Sequence, residues 1–253
     1  MANLPGATGS TNAVSTTSAQ VRPTGFHHYL TLLKKDLTQE FRTKEMLTSM
    51  GIYSLLVLIV FGAALAQTAS SFDILQMGGG LLWVLIVFTS LLGLNRSFSH
   101  EKENGCLEGV LLIPLDRSVI FLAKASSNLL FLLAVEIMVI PLFYFFFLTT
   151  TTPAETFWMI VFPLLVGTIG VAGIGTLLST ITINTRGKDV MLAVLFIPLI
   201  YPLLYACVSA TTAVIVGGEW TMDVYLPALA LAGGYDVIMI LLSWVLYDFV
   251  ISA

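Results

Sequence analysis

Long apolar runs alternate with short polar connectors along most of this chain. Apolar residues are nearly continuous over Met50–Ala66, Ile74–Leu94, Val119–Leu148, Phe157–Ile181, Val190–Val216 and Leu226–Val250. A helix needs about 17–25 such residues to cross a hydrocarbon core about 30 Å thick. The pattern therefore predicts an all-α, polytopic membrane protein with six transmembrane helices over residues 49–250. Residues 25–48 read differently. Phe26, Tyr29, Leu30, Leu33, Leu37 and Phe41 recur at helical spacing, with Lys34, Lys35, Asp36, Glu40, Arg42, Lys44 and Glu45 interleaved. That is an amphipathic helix lying in the membrane interface ahead of the first span; an ordinary cytosolic approach helix is the plainer alternative. Residues 1–24 are small and polar, lack the basic-then-apolar order of a secretory signal, and read as a disordered tail.

Proline and glycine add detail inside the spans. Pro141 should kink the third span, and Pro198 with Pro202 should bend or break the fifth. Gly233, Gly234 and Asp236 should interrupt the sixth. Gly78, Gly79 and Gly80 suit a loosened first turn or close helix packing at the second span. In the fourth span Gly167, Gly170, Gly173 and Gly175 suit close helix contact. A dinucleotide-binding reading of those glycines fails, because no strand precedes them and no acidic residue follows at the required distance.

Composition agrees with the pattern: 57% of the 253 residues are hydrophobic and 10% are charged, where a soluble domain carries about 25% charged residues. The placement of charge says more than the net value. All eleven Lys and Arg fall within residues 22–44, 96–124 and 186–188. If the spans alternate, every basic residue lies on one side, and the opposite connectors hold Asp73, Glu155, Glu219 and Asp223 without a Lys or Arg. The positive-inside rule then places both termini in the cytoplasm. No basic stripe on a soluble surface is present for nucleic acid. Cys106 and Cys207 lie far apart and support neither a disulfide framework nor a redox pair.

Ionisable residues inside the spans are candidate functional groups, since a carboxylate in hydrocarbon is costly. Lys124, Asn128 and Glu136 stand four and eight residues apart on one helical stripe. Lys124 or Asn128 is the expected partner of Glu136, which serves either as a polar contact within the bundle or in a substrate path or gate. Asp236 reads as an interfacial residue near the outer face. His27, His28 and His100 all fall outside the deep parts of the spans, so no haem-ligating or metal site is expected. No catalytic motif appears, and any ATP hydrolysis belongs to a separate subunit.

The connector 95–118 is the most charged stretch. An apolar patch with Leu107, Val110, Leu111 and Ile113 is framed by Glu101, Glu103, Glu108, Pro114, Asp116 and Arg117. It suits a short helix, from Asn104 or Gly105 to just before Pro114, docked in a cleft of a cytosolic partner, with the charges setting register. The plainer reading is a tethered surface segment that satisfies the positive-inside rule.

The run Glu101, Lys102, Glu103, Gly105, Leu107, Glu108, Gly109, Leu111, Leu112, Pro114 and Arg117 continues into Phe121, Ala123, Lys124, Asn128, Glu136 and Pro141. With Lys35, Asp36, Glu40 to Arg42 and Asn184 to Arg186, it closely resembles the haem exporter protein B family (CcmB) of cytochrome c maturation. The resemblance implies the permease subunit of an ABC-type, ABC-2-like transporter in the bacterial inner membrane, acting as a homodimer or around two ATPase subunits. Its implied partners are a CcmA-like ATPase, which holds the ATP, CcmC-like and CcmD-like membrane proteins, and a CcmE-like haem chaperone. It implies haem as the substrate, or else ATP-driven release of the haem-loaded chaperone; the lack of a deep histidine fits release better. Two other classes stay open: an exporter of lipid or polysaccharide, and a non-transporting platform for haem-handling partners.

Overall fold

The approach segment folds as α1 (Gly25–Thr43), which stops where Lys44 takes a left-handed backbone conformation at φ 55°. Helix α2 (Glu45–Thr68) starts immediately, and its Leu47 N–H donates 2.8 Å to Glu40 Oε1. A side chain of α1 thereby caps the first turn of α2. In this computed structural model the described residues are 25–68, 74–103, 117–148, 157–182, 185, 187–217 and 221–252. The expected tail of residues 1–24 lies outside them.

The remaining spans are α3 (Ile74–Glu103), α4 (Arg117–Phe143) with a π-helical turn at Tyr144–Leu148, α5 (Phe157–Thr182), α6 (Lys188–Val216) and α7 (Thr221–Ser252). Six helices, α2 to α7, are long and apolar enough to cross a membrane, as the charge segregation requires, and the described residues contain no strand. The protein is a multi-pass membrane protein.

Three expectations are corrected. Helix α3 does not end at Leu94 but runs on through Glu103, so Asn95 to Glu103 are helix and not connector. Hydropathy ends where side chains become polar, but a helix needs only its backbone ladder, and no glycine or proline intervenes before Gly105. Arg96 secures the extension across to the start of α2, with Nη2 3.1 Å from Glu45 Oε1 and Nη1 donating to Ser49 Oγ and the Glu45 carbonyl. Helix α6 is not broken at Pro198 or Pro202, and α7 passes through Gly233, Gly234 and Asp236 without interruption. Pro198, Pro202 and Gly234 are exposed on the outer sides of their helices, where hydrocarbon offers a broken backbone no partner and so favours the unbroken helix. Gly187 and Gly217, at φ 76° and 69°, mark the ends of α6 instead.

Helix α5 is the centre of the bundle, in contact with α3, α4, α6 and α7, and is buried almost without a break from Gly170 to Thr180. Small residues make that possible. Trp83 and Cys207 close on Gly167, Asp236 and Leu203 on Gly170, and Leu94 on Gly175. Each contact leaves no room for a Cβ, so α5 is approached from several sides at once. Similarly, Gly79 of α3 lies against the backbone of Thr212 in α6, with Trp83 Nε1 donating 3.0 Å to Thr211 Oγ1 one turn deeper. At the periphery Ile52, Leu56, Ile59 and Val60 of α2 stay exposed, as a lipid-facing surface should.

Candidate functional site

The charged connector and the polar stripe meet on α4. Arg117 opens that helix, and Glu101 and Glu103 lie in the last turn of α3. Leu107, Glu108, Leu111 and Pro114, with the helix expected near Asn104, lie outside the described residues.

Two turns into α4, Lys124 is buried and faces α1. Its Nζ lies 3.2 Å from Asp36 Oδ2, which also accepts a hydrogen bond of 3.1 Å from Ser127 Oγ. Both charged side chains are about nine-tenths buried, at 9% and 10% exposure. Tyr29 Oη donates 3.0 Å to Ser126 Oγ beside them. Removing one member of a buried pair strands the other charge, at about 3–5 kcal/mol. This pair fastens α1 to the helix that follows the connector.

Asn128 and Glu136 share the Lys124 stripe and are buried with it, but they turn to α5. Asn128 Nδ2 donates 3.0 Å to Thr176 Oγ1, whose hydroxyl in turn donates 2.6 Å to the Ala172 carbonyl. Eight residues on, Thr168 Oγ1 lies 2.5 Å from Glu136 Oε1 and 2.8 Å from the Leu164 carbonyl, its one proton shared between the two acceptors. Neither Lys124 nor Asn128 is the partner of Glu136, contrary to expectation. At 1.5 Å rise per residue they lie roughly 18 and 12 Å from it along the axis, whereas α5 runs antiparallel alongside. Ser54, Thr89 and Glu136 border a cavity of about 10 Å³ between α2, α3 and α4, where Thr89 Oγ1 has no hydrogen-bond partner.

Asp236 is the second deep carboxylate. It lies near the middle of α7, about 22 Å from Thr221 at 1.5 Å per residue, and is 5% exposed. The expected interfacial position is therefore corrected: α7 starts earlier than its apolar run suggests and carries Asp236 to mid-bundle depth. Asp236 Oδ1 has no hydrogen-bond partner, and the missing Cβ of Gly170 makes space for the carboxyl. Thr168 and Gly170 sit two residues apart, on nearly opposite faces of α5. The two carboxylates thus flank one helix at nearly the same level.

Asp36, Thr168 and Thr176 carry this geometry and are absent from the sequence-derived candidates. Asp36 leaves a trace in the sequence, because it follows Tyr29 and Leu33 on the apolar ridge of α1. The threonines leave none. Among the described residues no group of three or more His, Cys, Asp or Glu side chains comes together as a metal site.

The CcmB protein family model matches residues 27–247, from the first turn of α1 to the last turns of α7. The chain belongs to the CcmB family. Among CcmB relatives, heme exporter protein B of Pseudomonas aeruginosa is 26% identical over 173 residues, covering 68% of this chain and 75% of the relative. The heme exporter protein B of Haemophilus influenzae is 24% identical over 185 residues, covering 73% and 81%. That of Bradyrhizobium diazoefficiens is 30% identical over 142 residues, covering 56% and 63%. The CcmB match includes the connector, the Asp36–Lys124 pair and both deep carboxylates.

Proposed function

We propose that this CcmB protein is the membrane subunit of an ABC-type haem export machine in the bacterial inner membrane, with both termini cytoplasmic. ATP hydrolysis in a separate, CcmA-like subunit drives haem delivery or release of a haem-loaded, CcmE-like chaperone, with CcmC-like and CcmD-like proteins alongside. The names of the relatives support haem as the cargo. The observation that carries the mechanism is the position of α4. Its first residue follows the charged connector, Lys124 ties it to α1, and Asn128 and Glu136 tie it to the central helix α5. A displacement delivered to the connector by a soluble ATPase therefore enters the core through three polar contacts.

Helix α5 fills the middle of the bundle. A planar macrocycle consequently moves along the outside of one chain or between two copies, and the deep carboxylates act within the moving scaffold. The test is Glu108→Lys combined with Leu111→Asp, read by co-purification of the ATPase subunit and by stimulation of its ATPase activity. Both should fall at least tenfold; unchanged assembly and activity would remove the connector from the mechanism.

A further inference from the structure

Helix α1 sorts its charges by sign. Its two acids point inward: Asp36 is taken by Lys124, Ser127 and Lys35, and Glu40 caps α2. The acid that opens α2, Glu45, is engaged by Arg96. His27, Lys34 and Arg42 are left on the outward arc with Thr31 and Thr38, lining an open groove along the helix. No acid borders that groove among the described residues. Residues 1–24, immediately before the helix, contain no Asp or Glu that could neutralise it.

A row of exposed apolar side chains runs along one edge of this arc. Phe26 is 70% exposed, Leu30 45% and Phe41 65%. On a helical projection these three lie between the packed face, where Phe26 stacks on Tyr29, and the basic arc of Lys34 and His27. Lys44 alone joins α1 to the first span, which sets the arc beside the end of that span, where a membrane surface would lie. An acid-free basic arc beside exposed aromatics, held at that level, fits phospholipid headgroups and the acyl boundary beneath them.

We infer that the outward face of α1 is a binding strip for anionic phospholipid, with Lys34 and Arg42 on the phosphodiester and Phe26, Leu30 and Phe41 inserted beside it. This surface is distinct from the connector and independent of the transport reading. The opposite charge of the anionic leaflet favours lipid, and an acidic protein surface is the competing outcome of the test.

The full chain, purified in a neutral detergent, is titrated with phosphatidylglycerol and separately with phosphatidylcholine, and retained lipid is counted by native mass spectrometry. Wild type should retain phosphatidylglycerol preferentially. Each basic side chain near an anionic surface is worth about fivefold in affinity. Lys34→Gln with Arg42→Gln should therefore weaken phosphatidylglycerol retention by about 25-fold and leave phosphatidylcholine unchanged. The charge-preserving pair Lys34→Arg with Arg42→Lys should match wild type. Should the neutralised variant not remain monodisperse, 1 M salt on the wild type gives the same reading, because screening then acts within about 3 Å. Equal retention of the two lipids by wild type, an unchanged neutralised variant, or salt-insensitive retention would each overturn the inference. So would loss of a co-purifying acidic protein with lipid retention intact.

Discussion

Glu136 and Asp236 are the same functional group at nearly the same depth, on opposite sides of one helix, in different settings. Glu136 meets a hydroxyl, Thr168, in the α4–α5 seam. Asp236 meets a hole, the absent side chain of Gly170, and leaves Oδ1 unpartnered. A carboxyl that is hydrogen-bonded adds a modest contribution, whereas an unmatched buried polar atom costs about 1–3 kcal/mol. Depth alone therefore does not say whether an intramembrane acid supports the fold. The neighbouring helix decides it.

The strongest way to break this comparison is to fill the space at Gly170. A side chain there collides with Asp236 and Leu203. Gly170→Leu is expected to lose more than about 3 kcal/mol and most of the monodisperse protein on size exclusion. Normal yield and melting temperature would mean that α7 is not held against α5 as described.

A comparable effect tests whether pairing governs the buried charges near α1. Asp36→Ala should cost about 3–5 kcal/mol by stranding Lys124, and adding Lys124→Met should return most of it. Thermal unfolding in detergent of the two single variants and the double variant reads the cycle; simple additivity would count against a pair.

The smallest effect sharpens the contrast itself. Glu136→Ala should lower stability by about 1 kcal/mol, since it discards a hydrogen bond and enlarges a cavity. Asp236→Ala should be neutral or stabilising by about the same amount, since it removes an unsatisfied atom. Equal losses at both sites, measured as shifts in the thermal midpoint, would erase the distinction.

How much of this the sequence shows depends on whether the cause is local. The six spans follow from hydropathy, and the glycines of α5 behave as helix-contact residues because small side chains act at their own position. The polar series of Lys124, Asn128 and Glu136 was legible, although Lys124 turns to α1 and the other two to α5. Its partners were not: Asp36 lies 88 residues from Lys124 and Thr168 lies 32 from Glu136, and no helical period joins them. The extension of α3 to Glu103 was hidden because polarity marks the limit of the hydrocarbon, not of the helix. The depth of Asp236 is hidden for a related reason: the apolar run of the last span starts later than its helix.

The α4–α5 seam limits how the bundle can move. Glu136 opposes Thr168 and Asn128 opposes Thr176 in antiparallel register. Sliding one helix past the other by a full pitch, about 5.4 Å, would bring Leu164 or Ala172 opposite the carboxyl, and neither side chain has a hydroxyl to offer. Asn128 would regain a hydroxyl, that of Thr180, in one direction only, so no second register along this seam satisfies both side chains. A displacement that keeps both contacts carries α4 and α5 together and changes packing only where the pair meets its neighbours.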